Sequence, residues 1–113
     1  SKNCLLLKLM TALQSPSSLN TRRLGLAPRG QGARPALEGV TQIDGKLPVN
    51  PSGGLKAKGH PIGATGVSMH ALTAMQLCGE AGGMQVKDAK IGGVFNMGGA
   101  AVANYVSVLE RLR

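Results

Sequence analysis

Seventeen residues, Asn50 to Gly66 (NPSGGLKAKGHPIGATG), limit what this chain can fold into more than any other part of it. They hold five of the chain's 17 glycines, two prolines and one histidine, His60. Glycine reaches positive φ without a Cβ penalty and lets main chain approach a neighbour closely. Such a cluster therefore specifies a loop whose backbone is pressed against something. An apolar pattern at helical spacing follows at once, with Val67, Met69, Leu72, Met75 and Leu77. A helix starting there offers unpaired N–H groups and the positive end of its dipole. A histidine beside it can move protons near neutral pH.

The spacing predicts a helix over Ala64–Cys78, with Val67, Ala71, Ala74, Met75 and Cys78 as its apolar stripe and Gly79 and Gly82-Gly83 ending it. The small residues Ala64, Gly66, Ser68 and Ala71 suggest a helix crowded by neighbours. Lys87–Lys90 reads as a turn, and Ile91–Asn96 as a buried strand. After a tight turn at Met97–Ala101, Val102–Leu109 reads as a second strand. Its two faces are Val102, Asn104, Val106, Val108 and Ala103, Tyr105, Ser107, Leu109. Strands joined by so short a turn pair antiparallel. Upstream, residues 24–49 are mostly loop, with a hairpin expected around Asp44-Gly45. Leu47–Asn50 reads as an edge strand, because Pro48 cannot donate to a central ladder. The class is α/β.

A chain of 113 residues is one domain at most, or a piece of one. With a single Phe, a single Tyr and no Trp, it lacks the side chains that bury most area. It is expected to pack against more protein, and to aggregate or stay disordered when expressed alone. The net charge is +8, and half of it sits in residues 1–23, which hold Lys2, Lys8, Arg22 and Arg23 and no acid. A basic surface attracts nucleic acid or a phosphorylated cofactor. The aromatic platforms of single-strand and RNA binders are missing, which argues against a nucleic-acid partner. Cys4 and Cys78 have neither C-x-x-C nor metal-ligand spacing, so the chain reads as a cytoplasmic protein with reduced thiols and no metal. No apolar run approaches the roughly 20 residues that span a bilayer.

Gly59-His60-Pro61-Ile62-Gly63-Ala64-Thr65-Gly66, preceded by Asn50-Pro51-Ser52-Gly53-Gly54, resembles the histidine signature of thiolases. Asn50-Pro51 and Asn96-Met97-Gly98-Gly99 resemble the sterol-carrier-protein-type branch of that family. The likeness covers about residues 24–113. It implies an incomplete C-terminal part of a layered αβαβα fold, a mixed sheet with a buried helix, in proteins that are usually homo-oligomers. It implies an acyl-CoA acyltransferase that cleaves or condenses 3-ketoacyl-CoA through an acyl-cysteine. Acyl-CoA is the substrate, and no cofactor is permanently bound. The family histidine maps onto His60, which activates the cysteine and helps hold a thioester oxyanion. A thiol needs such a base or cation to be thiolate at neutral pH. Gly98 maps onto a backbone N–H of a second oxyanion hole. Asn50, Gly53, Gly54, Gly59, Asn96 and Gly99 map onto the substrate-binding loops. In other thiolases a second catalytic cysteine stands where this chain has Asn96, and asparagine cannot exchange a proton. The nucleophilic cysteine lies in an N-terminal half without a counterpart here, so the isolated chain is expected to be inactive. The alternative is a non-catalytic partner subunit that binds acyl-CoA or completes a complex.

In the sterol-carrier branch the second cysteine lies in a His-Asp-Cys-Phe motif upstream of the segment matching Leu24, and this chain has none. Residues 1–23 are read as a segment outside the family: a targeting-like leader, a disordered segment, or a frameshifted translation. The codons favour the last. Taking each third base with the next two, Leu9-Met10 permits His, Met10-Thr11 forces Asp, Thr11-Ala12 permits Cys and Ala12-Leu13 permits Phe. Lys56 and Lys58 flank the glycine loop and could meet CoA phosphates, while His70, Cys78, Arg29 and Arg34 read as packing or surface residues.

Overall fold

The computed structural model describes residues 4–9, 25–99 and 102–112. Its centre is a three-stranded mixed sheet in the order β1 (Cys4–Leu9), β2 (Ala89–Gly98), β3 (Ala103–Glu110). β1 runs parallel to β2, in a register that sets Leu6 beside Gly92 and Leu9 beside Phe95. β2 and β3 form the expected antiparallel hairpin, with Gly92 opposite Leu109 and Gly98 opposite Ala103. The helices are α1 (Arg34–Leu37), α2 (Gly54–Lys58) and α3 (Thr65–Cys78), and a 3-10 turn spans Gly82–Met84.

Cys4–Leu9 is a finding that the sequence reading of residues 1–23 did not contain: it is a strand, paired along β2. The lysine that interrupts its apolar run, Lys8, sits opposite Val94 in the ladder. The motif proposed for the shifted frame draws on the codons of Leu9–Leu13, of which residues 10–13 lie outside the described residues.

α3 forms where the spacing predicts. Its end is a Schellman cap: Gly79 takes φ 80°, its N–H donates to Gln76 O, and the N–H of Glu80 donates to Met75 O over 2.8 Å. The buried face is not the predicted one. Val67, Ala71, Ala74, Met75 and Cys78 are exposed, whereas Thr65, Met69, Thr73, Gln76 and Leu77 are buried. Polar side chains can line this face because each finds a hydrogen-bond partner, Thr73 within the helix and Gln76 in the segment that follows it. Thr73 Oγ1 donates to Met69 O (2.8 Å). Gln76 Nε2 donates to Met84 O (2.5 Å), and Gln76 Oε1 accepts from the Val86 N–H (2.8 Å). Where α3 crosses β2 there is no room for a side chain on the strand. A Cβ at Gly92 would stand 2.3 Å from Thr73 Cγ2.

The apolar core is small. Leu77 packs with Val86 and Ala89, Met69 packs with Val94, and the half-buried Leu109 touches both groups. On β3, Ser107 and Leu109 face α3, as the alternation requires. Val106 and Val108 are 70% and 72% exposed, so the opposite face of the hairpin is apolar and uncovered among the described residues. The helix is thus buried along one side only.

The hairpin expected around Asp44-Gly45 is instead a compact series of turns, held by Leu47 N–H to Val40 O (2.9 Å) and Val49 N–H to Thr41 O (3.1 Å). The turns pack so closely that a Cβ on Gly45 would lie 2.5 Å from Val40 O, and only glycine fits there. The expected edge strand over Leu47–Asn50 reduces to a single bridge residue, Val49. Arg34 and Glu38 pair across one turn of α1 at 2.5 Å, and the hydrogen bond and charge of Glu38 raise the guanidinium pKa.

Candidate functional site

The glycine loop folds in two pieces. Asn50 takes φ 50° and Gly53 takes φ 79°, so the chain turns sharply before the short helix α2. Gly54 packs against the Asn50 carboxamide, which would lie 3.5 Å from a Cβ at that position. α2 ends at Gly59, whose φ of 79° and ψ of −179° belong to a region that side-chain-bearing residues avoid. That backbone swing throws His60 back toward the start of α3.

Two side-chain contacts fasten this segment to the first turn of α3. Lys58 Nζ donates to Ser68 Oγ (2.6 Å), which itself donates to Thr65 O (2.9 Å). His60 Nδ1 lies 2.7 Å from Thr65 Oγ1. The imidazole is exposed, while Thr65 is 3% exposed. One ring nitrogen is therefore anchored at the helix start, and the other is left accessible. Pro61 contributes its carbonyl, which receives the N–H groups of Ala64 (3.1 Å) and Thr65 (3.2 Å) and so folds the chain into the helix.

The second candidate segment meets the same helix turn. Asn96 lies near the end of β2, half-buried and opposite Tyr105. A Cβ on Gly66 would stand 3.0 Å from Asn96 Nδ2. The structure thus brings the Gly59–Gly66 loop and Asn96 together. Gly98 is the last residue of β2 and Gly99 turns with φ 57°, both exposed at the end of the hairpin. Gly53, Gly54 and Asn50 form a neighbouring turn, joined to the histidine loop through α2.

Of the secondary candidates, Lys58 is committed to Ser68, while Lys56 is exposed without a described polar contact. His70 links helix to sheet: its Nδ1 lies 2.7 Å from Gly66 O and its Nε2 3.0 Å from Ser107 Oγ. Cys78 is exposed at the far end of α3, about 20 Å of helix from Thr65 at 1.5 Å per residue. It cannot reach the imidazole. Sequence reasoning missed Thr65 and Ser68 as loop anchors. The available signal was two hydroxyl residues one turn apart at a helix start, directly after the histidine.

Among the described residues no three of His, Cys, Asp and Glu gather as a metal site, and no helix is long and apolar enough to cross a membrane. A surface hollow of about 210 Å³ lies between Leu26, Pro28, Pro35 and Val40, and it shares no residue with the histidine loop.

A family model described as thiolase C-terminal domain-like matches residues 8–111. An acetyl-CoA acetyltransferase of Methanothermobacter thermautotrophicus is 50% identical over 88 residues, which is 78% of this chain and 23% of that protein. Human sterol carrier protein 2 is 49% identical over 85 residues, 74% of this chain and 16% of that protein. A benzoylsuccinyl-CoA thiolase subunit of Thauera aromatica is 39% identical over 64 residues, 57% of this chain and 17% of that protein. The chain spans less than a quarter of the length of these relatives.

Proposed function

Because the chain belongs to the thiolase C-terminal domain-like family, we propose that it is the histidine-bearing segment of an acyl-CoA acyltransferase acting on 3-ketoacyl-CoA. The observation that carries this reading is the accessible His60 imidazole, fixed by one nitrogen to the start of α3.

The chemistry follows from that geometry. A cysteine thiol supplied by another stretch of polypeptide gives its proton to His60 Nε2. The thiolate attacks the keto carbon of 3-ketoacyl-CoA, and the carbon–carbon bond breaks to leave the shortened acyl group on cysteine and the enolate of acetyl-CoA. A second acid–base group, like the nucleophile supplied by other polypeptide, protonates that enolate and releases acetyl-CoA. The same group then takes the thiol proton of a second CoA, whose thiolate accepts the acyl group, and His60 returns its proton to the freed cysteine. While the imidazolium persists, its Nε2–H donates to the developing thioester oxyanion, an interaction that strengthens with the charge. The backbone N–H of Gly98 serves a second oxyanion, beside Asn96 and Gly99. Asn50, Gly53, Gly54 and Gly59 shape the loops that meet the substrate. Neither Cys4 nor Cys78 is assigned a role in the chemistry.

The experiment is thiolysis of a 3-ketoacyl-CoA by this chain alone, and by a chimera in which residues 24–113 replace the aligned stretch of the Methanothermobacter relative. The chain alone is expected to be inactive and the chimera active. Turnover by the chain alone would refute the external nucleophile. The partner-subunit reading draws support from a matched relative that is itself named a subunit. It predicts acyl-CoA binding with no turnover in the folded chimera.

A further inference from the structure

We propose that Thr65 is a positioning residue that fixes the tautomer of His60, holding the ring proton on Nδ1 and leaving the Nε2 lone pair bare and outward. Acyl transfer enters only as the use to which the bare nitrogen is put; the tautomer itself stands on local geometry.

The Thr65 hydroxyl has one proton and two close neighbours. Pro61 O lies 3.1 Å away, four residues back, and His60 Nδ1 lies 2.7 Å away. A carbonyl oxygen can only accept. If the hydroxyl proton goes to Pro61 O, the Nδ1 contact is a hydrogen bond when Nδ1 carries the ring proton. Both contacts are then satisfied. If the hydroxyl proton goes to Nδ1, two oxygen lone pairs face each other across the Thr65–Pro61 contact, and one hydrogen bond is made where two were available. The first arrangement repeats elsewhere on the helix, where Thr73 Oγ1 donates to Met69 O at the same four-residue separation. The rival arrangement has a cause of its own: Pro61 O already receives the N–H groups of Ala64 and Thr65. It would put the ring proton on Nε2 and block proton uptake there.

The ring nitrogens point to opposite sides, and the hydrogen bond made by one decides the protonation of the other. Thr65 is buried and His60 exposed, so Nδ1 faces the helix and Nε2 faces outward. Proton uptake at Nε2 leaves the Nδ1–H···Oγ1 bond intact. The imidazolium that forms is held by the hydroxyl that oriented the neutral ring.

The test is ¹⁵N NMR of the full chain labelled at histidine, in solution or as a sediment under magic-angle spinning, with the ring neutral. His60→Gln assigns the two histidines by loss of one set of signals. The expected result is a pyrrole-like Nδ1 and a pyridine-like Nε2 for His60. In Thr65→Val the proton moves to Nε2, and Thr65→Ser restores the original pattern. A pyridine-like Nδ1 in the native chain overturns the proposal, and so does a Thr65→Val pattern identical to it. In the chimera, Thr65→Val should lower kcat at least about tenfold with KM little changed, and Thr65→Ser should recover it. A folded chimera that is inactive in every version overturns the acyl-transfer reading and leaves the tautomer result standing.

Discussion

Gly66 and Asn96 stand back to back: a Cβ on the glycine would come within 3.0 Å of the asparagine Nδ2. Thirty residues apart in the chain, they join the histidine loop to the end of β2, so the two candidate segments hold one geometry. Gly66→Ala has two opposed effects. Alanine favours helix by about 1 kcal/mol over glycine, while the new methyl group forces the Asn96 carboxamide to shift. Stability is expected to change by less than about 1 kcal/mol. The Asn96 side-chain amide resonances should move clearly. Unmoved resonances would mean that the two segments are not in contact.

The crossing of α3 over β2 makes a sharper prediction. In Gly92→Ala the methyl group would meet Thr73 Cγ2 at 2.3 Å, inside a packed layer. Overpacking of this kind costs about 1–3 kcal/mol. Thr73→Ser removes the opposing methyl but keeps the hydroxyl that donates to Met69 O. The double variant should therefore be more stable than Gly92→Ala alone. Denaturant unfolding of the four proteins of the cycle, made in the chimera, reads this directly, and strict additivity would contradict the contact.

Gln76 is 1% exposed and hydrogen-bonds both Met84 O and the Val86 N–H. Gln76→Leu keeps the volume and strands those two backbone groups beside a buried valine. The expected loss is about 2–4 kcal/mol, with each unsatisfied buried group costing about 1–3 kcal/mol. Melting temperatures would show it. A neutral outcome would mean that the segment after α3 is not held by this side chain.

The coding DNA gives a prediction independent of folding. If residues 1–23 are a frameshifted translation, the shifted frame across Leu9–Leu13 reads His-Asp-Cys-Phe. Sequencing that stretch decides it, because only certain codons of these residues permit the motif.

Much of the geometry of the candidate loop was legible because its signals are local. The glycines, Pro61 and His60 of the loop fix a turn into a helix, and Gly79 fixes where the helix stops. The β2–β3 hairpin followed from alternation and a short turn. What could not be read was which side of α3 is buried. The helix carries apolar residues on both sides, and the choice fell to Thr73, whose hydroxyl is satisfied inside its own helix, and to Gln76, whose carboxamide meets Met84 O and the Val86 N–H only in the folded structure. β1 was equally hidden, because a parallel strand is defined by a neighbour 80 or more residues away in sequence. The short helices α1 and α2 lie in glycine- and proline-rich stretches, where composition speaks for loop.

The uncovered apolar faces predict behaviour in solution. Val67 on α3 and Val106 and Val108 on β3 are 72%, 70% and 72% exposed. The two valines of β3 share one uncovered sheet face, and an exposed apolar face marks an interface or an aggregation site. Sedimentation of the isolated chain is expected to show association or precipitation. A monomer with a cooperative melt would show that these faces need no cover.

The decisive measurement concerns His60 itself. The chimera should be assayed for 3-ketoacyl-CoA thiolysis beside its His60→Gln variant, with both confirmed as folded by circular dichroism. A general base that takes the thiol proton is worth roughly 10²–10⁴ in rate, so His60→Gln should lose at least about a hundredfold in kcat/KM. If the folded variant turns over as fast as its parent, His60 is not the base and the acyl-transfer role falls.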